Sequence, residues 1–217
     1  GYAFEGEGNG VEIVDKMFVN NRKDGSRVLL EVDPKMVEDG VLTIPEGITA
    51  LGVGALSYVE ADKIILPEGL TSIGQSAFYN STVKEIVTPS TLRHLSEQAF
   101  YNAKNLEIIT LPESLETLPN GCFLHCESLS SIVLPQSLKV LGNEAFYYCP
   151  ALTEITLPEG LEEIGKYAFL NTGITELTIP NSCTKFHVSG MDNLTTLTLP
   201  AGLTELPKGG FEGMRSL

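Results

Sequence analysis

The sequence contains no tryptophan, only three histidines, and no apolar run close to the roughly 20 residues that a membrane-spanning helix requires. It also has few basic residues: 14 Lys and Arg face 28 Asp and Glu, for a net charge of −14. Such a charge repels phosphate backbones and anionic lipids. We therefore expect an acidic, soluble protein that is not an enzyme, has no cofactor, and neither binds nucleic acid nor inserts into a membrane.

An internal repeat dominates the rest of the sequence. Eight prolines, all but one of them after Leu or Ile, recur at intervals of 22, 22, 23, 23, 23, 22 and 20 residues: Pro45, Pro67, Pro89, Pro112, Pro135, Pro158, Pro180 and Pro200. Eleven residues after each proline stands a large apolar residue: Leu56, Phe78, Phe100, Phe123, Phe146, Phe169, Met191 and Phe211. A small residue precedes each of these, and Leu or Ile mostly stands three and six residues after the proline. Four columns kept in register over eight units establish the repeat.

The unit Leu152–Leu170 indicates how one repeat folds. Ile155 and Leu157 alternate with Thr156, which predicts a short strand with two side chains inward and one outward. Phe169 fills the interior at the end of the unit. A unit of about 22 residues cannot cover its own apolar face, so neighbouring units must stack. The sequence therefore predicts a solenoid of seven full repeats and a truncated eighth.

The repeat pattern L-x-x-L-x-L/I-P-x-x-L-x-x-I/L-G-x-x-A-F resembles the BspA-like, or Treponema-type, leucine-rich repeat of bacterial surface proteins. The clearest copies are Leu129–Phe146 and Leu152–Phe169, and the resemblance covers about residues 39–217. It implies a right-handed solenoid with short parallel β-strands on one face and turns with short helical or extended segments on the other. It also implies a surface-exposed or secreted bacterial protein that binds a host or neighbouring-cell protein. The family offers no catalytic residues to transfer.

The two ends differ from the repeats. Residues 1–38 are predicted to form a flexible glycine-rich lead and a capping hairpin, built from Val11–Val19 and Arg27–Val32. Residues 39–217 form the repeats. Leu217 is in register with the first core residue of a further strand, so we expect the natural chain to continue.

The repeat from Pro180 to Pro200 is only 20 residues long. It places Met191 in the phenylalanine column, and we expect the missing residues to fall between Met191 and Leu194. The strand of this repeat should stay in register while the opposite side is shortened.

The cysteines and histidines fit structural positions better than a catalytic or metal site. Cys126 and Cys149 share one column, whereas Cys122 stands in the alanine column and Cys183 in the leucine column. Buried thiols are the favoured interpretation, and a disulfide between Cys126 and Cys149 stays open. The histidines stand in three different columns and are expected on the surface: His94, His125 and His187.

Three surface columns are candidates for protein binding. Outward strand positions carry a row of threonines: Thr110, Thr156, Thr178 and Thr198. Two residues earlier stand acidic residues: Glu85, Glu154 and Glu176. A third row follows the phenylalanines: Tyr79, Tyr101 and Tyr147. Exposed strands favour β-branched residues whatever their function, and the tyrosines could simply pack over the turn beneath them, so structural roles stay open for these rows.

These observations predict a non-enzymatic protein-binding or adhesion module of a bacterial cell-surface or secreted protein. The acidic strand face favours a partner with a basic patch. The alternative is a structural spacer, or stalk, that presents another domain.

Overall fold

The computed structural model describes residues 8–217, which wind into a stack of similar turns with two strand faces. The first face contains strands of three residues: β4 (Val41–Thr43), β6 (Lys63–Ile65), β8 (Glu85–Val87), β10 (Ile108–Thr110), β12 (Ser131–Val133), β15 (Glu176–Thr178) and β17 (Thr196–Thr198). The second face contains strands of two residues: β5 (Ala50–Leu51), β7 (Ser72–Ile73), β9 (His94–Leu95), β11 (Thr117–Leu118), β13 (Val140–Leu141), β14 (Glu163–Ile164) and β16 (Lys185–Phe186).

Equivalent residues of neighbouring repeats pair directly. On the first face Ile109 pairs in parallel with Ile86 on one side and Ile132 on the other. On the second face Leu141 pairs with Leu118 and Ile164. The predicted solenoid of short parallel strands is therefore confirmed, and its other face consists of extended segments and turns. The one helical element of the described residues is a 3₁₀ turn at Pro34–Met36.

The proline column makes the corner between the two faces. The Pro158 carbonyl accepts a hydrogen bond from the Leu161 amide at 3.0 Å, and Pro135 and Leu138 form the same contact at 3.1 Å. Proline presets φ for this turn, and the leucine three residues later points into the core. The fixed proline-to-leucine interval in the sequence is therefore the signature of the corner.

Stacked phenylalanine rings form the centre of the core. The five rings Phe78 to Phe169 are buried, with centroids 5.0, 5.0, 5.4 and 5.8 Å apart from one junction to the next. At each of the four junctions the two ring planes lie within 19° of parallel. Phe146 lies between Phe123 and Phe169, as the register of the repeat predicts.

Side chains also bond one repeat to the next. Asn120 Oδ1 accepts from the Asn143 amide at 2.9 Å, and Asn143 Oδ1 accepts from the Lys166 amide at 2.8 Å. At the corner, the Ser137 hydroxyl donates to the Leu115 carbonyl at 2.7 Å. These bonds satisfy backbone groups that the short strands leave without a partner.

The first face is interrupted at the repeat that contains Glu154. Residues 154–156 form no strand, so the face divides into a five-stranded sheet from β4 to β12 and a two-stranded sheet of β15 and β17. The strand predicted around Thr156 is therefore wrong. The core nevertheless continues through this repeat, because Leu152 and Leu157 stay buried. Side-chain packing, together with the pairing of β14 with β13 and β16 on the second face, holds the repeat in place.

The short repeat keeps its strand register, as predicted, with Leu177 paired to Leu197. The missing residues, however, do not lie between Met191 and Leu194. The Val188 amide donates to the Gly210 carbonyl at 2.9 Å. The Phe146 amide makes the equivalent hydrogen bond in its own repeat, to the Ala168 carbonyl at 2.8 Å. Val188 therefore occupies the phenylalanine position.

The deletion thus falls between Phe186 and Val188, and Met191 takes the position of Cys149 in its repeat. The Leu194 amide donates to the Met191 carbonyl, as Leu152 does to Cys149, both at 3.1 Å. Phe186 replaces the smaller leucine or isoleucine of other repeats, and its ring packs edge-on against that of Phe211 with the centroids 6.2 Å apart. A larger residue in one column therefore accompanies a smaller one in the next, which keeps the core filled.

The N-terminal segment forms three antiparallel strands in place of the single hairpin predicted: β1 (Gly8–Val14), β2 (Met17–Arg22) and β3 (Arg27–Val32). Val11–Val19 contains a tight turn, because Asp15 and Lys16 both have positive φ. Strand β3 then pairs in parallel with β5, so the sheet continues into the second face. The start of the glycine-rich lead, residues 1–7, lies outside the described residues.

We predict that Phe146→Ala lowers the free energy of unfolding by about 3–5 kcal/mol, because it leaves a cavity in the ring stack. Coupling between neighbours should keep the loss cooperative. Urea denaturation followed by circular dichroism measures it. Val133→Ala is the matched control: Val133 is 73% exposed, and its loss should stay within about 0.5 kcal/mol. A loss below about 1 kcal/mol for Phe146→Ala would contradict the stacked core.

We also predict that Gly190→Ala destabilises the chain more than Gly202→Ala. Both glycines have positive φ, +74° and +83°, which disfavours any side chain. At Gly190 an added Cβ would lie 1.7 Å from Leu170 Cδ1, whereas nothing lies within 4 Å at Gly202. Because Leu170 Cδ1 is the end of a half-buried, flexible side chain that can rotate away, the additional loss at Gly190 should be about 0.5–1.5 kcal/mol. Equal losses in urea denaturation would show that the repeats are not packed this closely there.

Candidate binding surfaces

The first strand face has an exposed apolar centre. Thr110 pairs with Val87 on one side and Val133 on the other, so these residues form one row across the sheet. Val87, Ile108 and Val133 are 37%, 52% and 73% exposed. We call the outward side of the first face, from β4 to β17, the strand face. Contiguous exposed apolar groups are typical of interaction sites.

The predicted acidic residues on this face do not form one uniform row. Glu85 accepts a hydrogen bond from Lys63 Nζ on the adjacent strand at 2.7 Å, so its charge is partly neutralised. Glu154 and Glu176 are exposed, and no ion pair involves either one within residues 8–217. Excess negative charge on the strand face is therefore concentrated beyond the apolar centre, toward the C-terminal end.

The remaining threonines also lie on the acidic end of the strand face. Thr178 pairs with Thr198 across β15 and β17, and both are exposed. Thr156 is exposed on the segment that forms no strand. The structure therefore places the predicted threonine and glutamate residues on one face, but Thr110 belongs to the apolar centre and the others to the acidic end.

Several lysines are held between repeats. Lys84 Nζ lies 2.7 Å from Asp62 Oδ1, and Lys104 Nζ lies 2.8 Å from Glu127 Oε1. The hydrogen bonds that these lysines donate to the carboxylates raise the pKa of both lysines. Each pair joins neighbouring repeats, so these positive charges neutralise local acids, and the surplus acids dominate the field of the surface.

The predicted tyrosine row is part of a longer line of aromatic rings. Centroids lie 5.4 Å apart from Tyr58 to Tyr79, 5.2 Å from Tyr79 to Tyr101, 6.2 Å from Tyr101 to His125 and 5.7 Å from His125 to Tyr147. These rings lie on the segments between the second strand face and the next repeat. We call the line, together with Tyr148 and Tyr167, the aromatic arm: Tyr58, Tyr79, Tyr101, His125, Tyr147, Tyr148 and Tyr167.

His125 was not found by sequence reasoning as a member of this line. Leu124 occupies the tyrosine column in its repeat, and the histidine follows one position later. The signal was available in Tyr58 and Tyr148, which stand in that same later column. His94 lies exposed on β9 and His187 on the shortened repeat, so the three histidines are apart.

The four cysteines are buried free thiols, as the columns predict. Cys126 Sγ donates to the Phe100 carbonyl at 3.2 Å, and Cys149 Sγ donates to the Phe123 carbonyl at 3.1 Å. Burial raises the pKa of Cys122, Cys126 and Cys149, and protonated thiols are poor nucleophiles and ligands. The two column partners are therefore separate hydrogen-bonded thiols.

Within residues 8–217, no three His, Cys, Asp or Glu side chains are grouped as a metal site would require. The same residues include no helix of the length and apolarity needed to cross a bilayer.

The fold and the repeat columns define a class of protein, the leucine-rich repeat solenoids. Six copies of the BspA type leucine rich repeat region match the chain, over residues 40–151, 71–189 and 116–217. The chain therefore belongs to the BspA type leucine-rich repeat family. A comparison with curated proteins finds no significant match.

Solved bacterial structures share the fold. A leucine rich cell surface protein from Faecalibacterium prausnitzii superimposes with a TM-score of 0.77 at 21% identity, over 89% of this chain and 55% of its own. A leucine-rich repeat protein from Bacteroides ovatus gives 0.66 at 22% identity, over 95% and 69%. One from T. pallidum gives 0.58 at 22% identity, over 86% and 81%. This chain thus spans about half the length of the Faecalibacterium protein.

We predict that the buried thiols make stability depend on alkaline pH. Burial raises the pKa of Cys149 from 9.0 to about 12. Stability is intact below pH 9, where the thiol is protonated in both states. As pH rises toward 12, only the unfolded state loses its proton, so stability falls.

Urea denaturation at pH 7 and pH 10, with and without Cys149→Ala, measures this contribution. The alanine variant should start less stable but lose less between the two pH values, because tyrosine and lysine titrations are common to both proteins. Equal losses would mean that Cys149 is not shielded from water.

Proposed function

We propose that this chain is a protein-binding module of the adhesion type and that its strand face contacts the partner. The observation that carries the proposal is the exposed apolar patch of Val87, Ile108 and Val133 beside the unpaired carboxylates of Glu154 and Glu176. Solenoids use such extended faces for binding. Apolar groups at the centre of an interface supply most of the affinity, and charges at its rim select the partner.

The partner that fits is a protein surface with an apolar centre and a basic rim. The net charge of −14 attracts a basic partner at long range. Glu85 contributes less than the other two glutamates, because Lys63 already neutralises part of its charge. Thr110 supplies a hydroxyl group within the apolar centre, and Thr156, Thr178 and Thr198 supply hydroxyl groups at the acidic end.

We place this module at the surface of a bacterial cell or among its secreted proteins, without enzymatic activity. Family membership supports this, since leucine-rich repeats are scaffolds for protein interaction. The likeness to the Faecalibacterium cell surface protein agrees with it. The proposed partner is accordingly a protein of a host or of a neighbouring cell.

We also propose that residues 1–38 cap a repeat region that spans residues 39–217. Met17, Val19 and Leu29 on β2 and β3 are buried in the same core as the first repeats. An open solenoid end exposes apolar surface unless another element covers it. These strands cover that end and continue its second face.

Reversing both unpaired acids tests the proposal. The double variant Glu154→Lys and Glu176→Lys should slow association with a partner captured from host extracellular proteins, because it removes attraction at the rim. The effect should shrink as salt rises toward about 1 M, where the screening length is about 3 Å. Stopped-flow association at low and high salt measures it. Unfolding stability should change by less than about 0.5 kcal/mol.

The control is Glu162→Lys with Glu205→Lys, which changes the net charge equally through exposed acids outside the strand face. This control should slow association less than the strand-face variant. Equal rates for the two variants at low salt would place the binding surface elsewhere.

A further inference from the structure

The aromatic arm contains residues that are held in an unfavourable backbone conformation. Two positions in most repeats, two residues before and two after the phenylalanine column, have positive φ. Glycine and asparagine adopt this left-handed conformation most readily. The later position is occupied by Tyr58, Asn80, Asn102, His125, Tyr148, Asn171, Gly190 and Gly213. The earlier position is occupied by Gly54, Ser76, Gln98, Gly121, Glu144, Tyr167 and Gly209.

Four of these positions carry an aromatic ring where asparagine or glycine would be less strained. The φ angles are 60° at Tyr58, 59° at His125, 57° at Tyr148 and 59° at Tyr167. Burial does not compensate the tyrosines, because Tyr58, Tyr148 and Tyr167 are 65%, 40% and 45% exposed. Left-handed bulky residues are uncommon, and such strain concentrates at functional sites. The strain therefore points to a use for exposed rings on this arm.

The ring planes of the arm are tilted relative to one another, so the rings do not form one flat stacking surface. Tyr58 and Tyr79 meet at 85°, and His125 meets Tyr148 at 42° with centroids 4.9 Å apart. Tilted ring faces attract a cation from more than one side, as aromatic cages do. A sugar ring is better matched by coplanar rings.

The charge of the surroundings favours a cationic ligand. The chain has a net charge of −14, and the exposed carboxylate of Glu144 lies on the same arm, two residues before the phenylalanine column. Lys104, which lies near Tyr148, is already held by Glu127. Cationic side chains of a partner would contact the ring faces and would also be attracted by the negative electrostatic potential of the chain.

We propose that the aromatic arm is a second binding surface, which takes the lysine or arginine side chains of a cationic protein segment. The surface is distinct from the strand face and does not depend on the function proposed for that face. Tyr58, Tyr148 and Tyr167 supply the exposed ring faces. His125 connects the ring line across the repeat that lacks a tyrosine.

Tyrosine fluorescence reports this surface directly, because the chain has no tryptophan and every tyrosine within residues 8–217 lies on the arm. The protein is prepared with Tyr2→Phe, which removes the remaining tyrosine signal. The probe is a capped eight-residue peptide of alternating lysine and glycine, with a matched glutamate–glycine peptide as control. We expect a saturable change in emission with the lysine peptide and none with the glutamate peptide.

Asparagine substitutions separate ring contacts from folding. Tyr58→Asn, Tyr148→Asn and Tyr167→Asn should each weaken binding of the lysine peptide about two- to fivefold, the effect of losing one exposed cation–π contact. None should lower the thermal midpoint substantially, because asparagine accepts positive φ. The matching Tyr→Phe variants keep the rings and should stay within about twofold of the parent in affinity.

Because substitution of a tyrosine also changes emission, the variant affinities are measured by calorimetry. The strand-face control Ile108→Ser, which leaves the charge unchanged, should bind the lysine peptide like the parent. Its failure to do so would place the peptide on the strand face and overturn the proposal.

Three further outcomes overturn the proposal: no saturable binding of the lysine peptide, equal binding of the glutamate peptide, or full affinity in all three asparagine variants. A cello-oligosaccharide that binds in place of the lysine peptide would identify a sugar surface and also overturn it. The titration needs no natural partner, so failure of the function proposed for the strand face leaves its result unaffected.

Discussion

Stacking of each repeat on its neighbours is the interaction on which the rest of the structure depends. One turn of this solenoid has strands of two or three residues, which are too short to hold a sheet together by hydrogen bonds alone. The phenylalanine rings, 5.0–5.8 Å apart, supply a continuous apolar centre instead. The repeat at Glu154 loses its pairing on the first face, yet its buried leucines and its second-face strand β14 keep it in the stack.

The same constraint divides the aromatic residues between two roles. Phenylalanine fills the stack, where a hydroxyl group would need a buried partner. Tyrosine occurs outside it on the segments that close each turn, at positions where exposure satisfies its hydroxyl. The acidic surplus is distributed in a similar way, since several lysines are engaged between neighbouring repeats. The outer surface is thereby left with rings and carboxylates, the groups that a basic partner recognises.

Much of this architecture was predictable because residues in one column of the repeat have the same structural surroundings in nearly every unit. The column containing Phe146 predicted its burial, and the shared column of Cys126 and Cys149 predicted buried thiols. The deletion was assigned to the wrong side of Met191 because sequence alignment places Met191 opposite phenylalanine by size. The hydrogen bond from Val188 shows that Val188 itself occupies the phenylalanine column. The volume lost there is offset by Phe186, which is larger than the leucine or isoleucine of its own column.

The candidate surfaces were less predictable, since exposed positions are not constrained by packing. Lys63 stands in the glutamate column one repeat before Glu85, so the register places the two on adjacent strands, but the column does not reveal that their side chains meet. His125 was missed since it stands one position from the tyrosine column. The left-handed backbone at Tyr58 and Tyr148 is a property of the turn, and a column that also accepts asparagine does not reveal which residues are strained there.

The side-chain hydrogen bonds between repeats join residues 19 to 26 positions apart, so each unit contacts mainly the one before and the one after it. A gene that gains or loses a whole unit by recombination would leave most of these junctions intact. The outer surface is then modular: each repeat can change its exposed residues while its buried columns stay fixed. The apolar and acidic zones of the strand face belong to different repeats, so their order along the solenoid can vary without a new fold.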